Sequence, residues 1–267
     1  MTEAFKRPKF IKSLRIQFRV IHALLMREII TRYGRHNLGF AWLFVEPMIF
    51  TLGVTALWTT LKANHGSDLD IIPFAVSGYS TVLLWRNAVG RAGHAVEANT
   101  GLLYHRNVKI LDVFIARIIL EIFGATISFV ALSIMFIVLG KMSLPNDFLL
   151  IFEGWLLLSW FALSLGLTMG SIFEISEIVD RLWHAFTYLM FPLSGAAFFV
   201  FWLPEPMRKA VLYIPMVHFT EMIRHGYYGE LIPTYENIVY IFSWNLALTF
   251  LGLSLVKYIS KKIEVSG

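Results

Sequence analysis

An all-α integral membrane protein with six transmembrane helices is the fold class this sequence predicts. Three observations predict it: the composition, the length of the apolar runs, and the sidedness of the lysines and arginines. Of 267 residues, 57% are hydrophobic and only 15% charged, and the mean hydropathy is +0.65. Soluble domains carry about 45–50% apolar and about 25% charged residues. A hydrocarbon core ~30 Å thick takes about 20 apolar residues per helix. Six runs meet that length: 39–61, 71–89, 113–139, 148–173, 183–203 and 238–259. With six crossings, 17 of the 23 Lys and Arg fall on the side of the N-terminus, five on the other, and Arg117 inside a run. The positive-inside rule then puts both termini in the cytoplasm. The net charge of +5 is this asymmetry and needs no nucleic acid to explain it.

The N-terminal "MTEAFKRPKFIKSLRIQFRV" is charged throughout and lacks the apolar stretch of a secretory signal peptide. Within 12–36, Leu14, Phe18, Ile21, Leu25 and Ile29 recur at helical spacing beside Arg15 and Arg19. That pattern predicts an amphipathic helix at the cytoplasmic membrane surface, ending near Gly34. The first run, "NLGFAWLFVEPMIFTLGVTALWTTL", carries Glu46 and Pro47 side by side. A carboxylate is costly in hydrocarbon, and proline removes a helical hydrogen bond, so a kink at Pro47 is expected. Glu46 would then face a pathway or pair with a basic residue.

The loop 90–112 is rich in alanine around 92–98, with Gly101 as a cap, and predicts a short cytoplasmic helix. Its polar residues, among them His94, Glu97, Asn99 and Arg106, suit contact with another protein. In the third run Arg117 and Glu121 are four apart and share a face. Trp42, Trp155 and Trp160 are candidates to face a lumen, where aromatic rings pack on flat ligands such as sugars. The fifth run is broken by Pro192 and Gly195, a second expected kink. Finally, 204–237 is too polar to span, and prolines at 204, 206, 215 and 233 divide it. Two stubby helices dipping into the outer leaflet would fit.

Catalytic signals do not emerge. Phosphate-cradling loop, dinucleotide fingerprint, zinc-protease motif and nucleophile elbow are all missing from the sequence, as is cysteine. His218 and Glu221, three apart, make only a weak metal pair. Energy for transport must therefore come from a gradient or from a partner.

The order "MREIITRYGRHNLGFAWLFVEPM" followed by six apolar runs resembles the transmembrane subunit of an ABC-2 type exporter, most closely the inner-membrane permease of bacterial capsular polysaccharide export. "AVEANTGLLYHRNVKILDVFIARIILE" and "PMVHFTEMIRHGYYGE" support the resemblance, which covers essentially the whole chain. It implies the ABC-2 (type V) exporter fold: a single transmembrane domain over 1–267, working as a homodimer with two copies of a cytoplasmic ATPase that binds the ATP and Mg. This chain itself would need no cofactor and no metal. It further implies a lipid-linked polysaccharide as cargo, a bacterial inner-membrane location, and a periplasmic co-polymerase and outer-membrane export system as further partners. By position, 14–33 would be the gate helix and 91–101 the coupling helix, with Arg91, His94, Ala95, Glu97, Ala98 and Asn99 meeting the ATPase. Residues 207–231 would be the re-entrant helices, carrying Pro215, His218, Glu221 and Arg224. The first and fifth spans would line the conduit, with Trp42, Glu46, Trp58, Trp160 and Tyr188 along the glycan pathway. An exporter of O-antigen or teichoic acid, a gradient-driven carrier and a membrane-embedded lipid-modifying enzyme are the alternatives.

Overall fold

Ten α-helices and no strand make up the described part of the computed structural model, which covers residues 9–33, 37–62, 70–103 and 108–266. Helix α1 (Lys9–Tyr33) is followed by α2 (Asn37–Lys62), α3 (Ile71–Ala92) and the short α4 (Thr100–Leu103). Two long helices, α5 (Ile110–Val138) and α6 (Phe148–Ile175), precede α7 (Glu177–Phe191). The short helices α8 (Glu205–Val211) and α9 (Pro215–Tyr228) lead to α10 (Ile238–Ser266). The end expected for α1, near Gly34, lies outside the described residues, as does Arg106.

Among the described residues four segments are long and apolar enough to cross a membrane: Ala41–Leu61, Ile110–Val138, Phe148–Ile175 and Ile238–Lys262. Their outer surfaces stay apolar, with Phe123, Val138, Phe152, Val239 and Phe250 all exposed. Water does not tolerate apolar surface on that scale, whereas hydrocarbon does. Helix α3 has the length but not the hydropathy, because its polar residues are turned into protein. Sixteen of its 22 residues are buried, and it packs on α2, α5, α6 and α9. Two of its hydroxyls are satisfied within the helix: Ser77 donates to the Pro73 carbonyl at 2.6 Å and Thr81 to that of Gly78 at 2.7 Å.

The fifth apolar run departs from the continuous segment 183–203 read from the sequence. Its helix begins six residues earlier, at Glu177, and stops at Phe191. Pro192 opens a π-helical turn that contains Gly195 at φ 89°, a conformation that costs a side chain dearly but glycine little. The first proline acts differently, since α2 continues through Pro47. Proline removes one hydrogen bond from a helix, and whether the chain then turns depends on the residues just beyond it. After Pro192 a glycine lets it turn.

Helix α1 also differs from its stripe. Gln17, Val20, Leu24 and Glu28 face the bundle, while Leu14 and Phe18 are exposed. In a membrane-surface helix the apolar side can turn to lipid and the polar side to protein.

Candidate functional site

At one end of the bundle α9 is locked in place by Arg224. Its guanidinium is fully buried between the rings of Phe74 and Phe199, at 4.2 and 4.6 Å from their centroids. It donates to the carbonyls of Gly195 (2.8 Å), Phe198 (2.6 Å), Ala196 (3.2 Å) and Phe74 (3.3 Å). Three of these are carbonyls that the break after Pro192 leaves without helical donors, and a buried carbonyl without a partner is costly. Arg224 therefore acts as the cap of the broken helix, supplied from a different element. Gly78 makes room for it: a Cβ there would stand 2.7 Å from Arg224 Nη2 and 2.8 Å from the Ala196 carbonyl.

Glu221 lies on the same face of α9, with Oε1 3.4 Å from the Val200 N–H. Burial pushes its carboxyl up to about 7, partly offset by the positive Arg224. His218 is held at both nitrogens. Nδ1 accepts from the Asn237 N–H at 3.2 Å, so Nε2 carries the proton donated to the Leu212 carbonyl at 2.8 Å. Burial lowers its pKa, which keeps this ring neutral. Among the described residues no group of three or more His, Cys, Asp or Glu could hold a metal. Pro215 sits at the first position of α9, where its missing N–H costs nothing. Helix α9 spans about 21 Å at 1.5 Å per residue, too short to cross a bilayer.

The opposite end is polar and open. After α3 the chain makes turns, a 3₁₀ turn over Glu97–Asn99, and then α4, rather than the single helix expected over 91–101. Arg91, His94, Glu97 and Ala98 are exposed, but Ala95 and Asn99 are turned into the protein itself. Asn99 accepts from Arg27 of α1 and donates to the Ala95 carbonyl at 2.9 Å. Arg117 completes the tie: it stands 3.2 Å from the Glu28 carboxylate and donates to the His94 carbonyl at 2.8 Å. Glu121 stands 3.5 Å from Arg91, and Gln17 donates to Asp112. Helix α1 is thus joined to the 91–103 connector and to α5 by hydrogen bonds and ion pairs. The sequence marks Arg117 and Glu121 as sharing a face and Arg91, His94 and Asn99 as connector residues; in it Glu28 is one more charge on an amphipathic helix.

Beside this network a cavity of about 480 Å³ opens between α2, α3 and α7. Glu46 and Pro47 line it from α2, Arg86, Asn87 and Arg91 from α3, and Trp183, His184 and Thr187 from α7. Of the candidate pathway residues Glu46 lines this space, while Tyr188 holds the Arg86 guanidinium 5.0 Å from its ring centroid. Trp42 is exposed on α2. Trp58 donates to the Tyr79 hydroxyl at 3.0 Å and packs edge-on against Phe74. Trp160 donates to the Thr249 hydroxyl at 3.0 Å between α6 and α10. Trp155 is buried, stacked on Phe129 and bonded to Thr126. These last three indoles have partners in their own protein.

Lipid-facing helices, a broken helix and a polar cavity at one end define a polytopic helical membrane protein. The chain belongs to the ABC-2 type transporter family, whose model matches residues 19–228. It is 47% identical over 262 residues to the capsule polysaccharide export inner-membrane protein CtrC of Neisseria meningitidis serogroup B, covering 98% of this chain and 99% of that one. It is 43% identical to BexB of Haemophilus influenzae, which bears the same description, over 96% of both chains. The polysialic acid transport protein KpsM of Escherichia coli is 26% identical over 91% of this chain and 94% of its own length.

Proposed function

We propose that this chain is the transmembrane permease of an ATP-driven exporter that carries a lipid-linked capsular polysaccharide across the bacterial inner membrane. The observation that carries this reading is the 47% identity to a capsule export inner-membrane protein along nearly the whole of both chains. In this reading two copies pair, α2 and α7 line the conduit, and the glycan passes between the protomers. Two cytoplasmic ATPase subunits bind and hydrolyse ATP with Mg. The permease breaks no bond and needs no cofactor of its own; ATP binding to the partner biases its two conformations. Both termini are cytoplasmic, so the α1 end faces in and the α9 end faces out, toward the periplasmic and outer-membrane export partners. Six crossings are completed by α3, about 33 Å long, and by α7 extended through the turn after Pro192.

The exposed positions of the connector, Arg91, His94, Glu97 and Ala98, are the surface offered to the ATPase, while Ala95 and Asn99 shape it from behind. The test is rescue of surface capsule in a strain lacking its own inner-membrane export protein, with co-purification of the ATPase. Wild type should restore capsule and retain the ATPase. Ala98→Glu should insert normally and lose both, since an unpaired charge in an interface is costly. Rescue that persists without any ATPase would overturn the proposal.

A further inference from the structure

We infer that the cavity between α2, α3 and α7 binds the anionic phosphate headgroup of a lipid, with Arg86 as its receptor. This rests on the exporter reading for its biological meaning, since the lipid would be the anchor of the cargo, but its chemistry stands on the cavity alone.

The first ground is an arginine without acceptors. Arg86 is half-buried on α3, held over the rings of Tyr188 and Phe191 at 5.0 and 6.0 Å from their centroids. Among the described residues no carboxylate lies within 4.0 Å of it and no hydrogen bond engages its five donors. Neighbouring cations are matched: Arg91 stands 3.5 Å from Glu121 and Arg117 3.2 Å from Glu28. A guanidinium fixed by aromatic faces, with its donor fork open, is preorganised for a planar, bidentate oxyanion contact.

The second ground is the space. The cavity of about 480 Å³ adds Asn87, His94 and His184 as further hydrogen-bonding groups, and Glu46 as its single carboxylate. Glu46 is exposed, with no ion pair within 4.0 Å among the described residues. It lines the same space as the cation, which makes it the intrinsic competitor of an incoming anion.

The third ground selects a lipid over a soluble anion. Phe50 borders the cavity, and Ile49, Phe186 and Leu189 are exposed on the same two helices. A ligand whose charge meets Arg86 thus has apolar surface beside it for acyl chains. A free phosphate or a sugar acid would leave that surface unused.

The experiment measures thermal unfolding of the intact chain in nanodiscs of phosphatidylcholine alone or with added phosphatidylglycerol. The anionic lipid should raise the Tm of wild type by about 5 °C, as expected for a ligand held only by the native state. Arg86→Gln should keep the phosphatidylcholine Tm, showing that it folds, and lose this increment. Arg86→Lys should keep part of it, since a point charge replaces the fork. Glu46→Gln should enlarge it. Arg181→Gln, which removes an exposed cation elsewhere, should leave it unchanged and so exclude a general response to membrane charge. An equal increment in wild type and Arg86→Gln would overturn the inference. So would inorganic phosphate matching the lipid in its effect. Failure of the chain to recruit an ATPase would remove the exporter reading and leave this measurement intact.

Discussion

Arg224 and Arg86 each lie over two aromatic rings, yet one is engaged through both terminal nitrogens and the other has no acceptor among the described residues. Arg224 is fully buried and gives hydrogen bonds to four carbonyls from two segments of chain. Arg86 is half-buried over two π faces, with no ion pair or hydrogen bond among the described residues. A buried cation is tolerated when its donors are used. Where they are used by the backbone, as at the α9 end, the cation is part of the scaffold. Where they stay open beside a cavity, as near the α1 end, the cation is available to something that arrives. Aromatic packing around an arginine does not separate these cases; the acceptors do.

The largest effect should come from Arg224. Arg224→Met takes the guanidinium away from the three carbonyls of the break, those of Gly195, Ala196 and Phe198, and removing one partner of such a network costs about 3–5 kcal/mol. At about 2–4 °C per kcal/mol for a chain of this size, Tm should fall by about 10 °C or the protein should fail to accumulate. Arg224→Lys should lose nearly as much, because one ammonium cannot reach four carbonyls and fill the stack. A wild-type Tm for Arg224→Lys would erase the contrast with Arg86.

Glu221 sharpens the comparison through pH. Its carboxyl sits at about 7 in the fold against 4.5 unperturbed. Between those values the folded state holds a proton that the unfolded chain has released. Its contribution to stability is therefore full below about 4.5 and is lost as pH rises through 7. Wild type should lose more Tm between pH 6 and pH 8 than Glu221→Gln does. Parallel pH curves for the two proteins would show that the α9 end holds no such proton.

The smallest effect belongs to Trp160. Trp160→Phe deletes one hydrogen bond to Thr249 and keeps the ring, a loss of about 1 kcal/mol and about 2–4 °C in Tm. Capsule export should continue, since the indole is engaged between α6 and α10. Trp42→Ala should do the reverse, lowering export at unchanged Tm, because that ring is exposed on α2. Export lost in Trp160→Phe at normal expression would return this ring to the pathway.

Much of this protein is legible without coordinates because it depends on neighbours along the chain. Apolar runs of about 20 residues make helices in lipid whatever surrounds them. The chain turns after Pro192 because a proline and a φ-positive glycine stand three residues apart. The absence of a phosphate loop or nucleophile motif is equally local. Relations between distant positions are set by packing alone. Arg224 is one polar residue in a polar loop until Phe74, 150 positions away, stands beneath it. Ala95 reads as an interface residue, yet it is wholly buried in its own core. Arg86 reads as a positive-inside charge, and only the rings of α7 and the missing carboxylate set it apart. Hydropathy and backbone chemistry act over a few residues and can be read in order. Whether a charge is satisfied depends on which acceptors the packed helices bring within about 3 Å of it, and no local pattern records that.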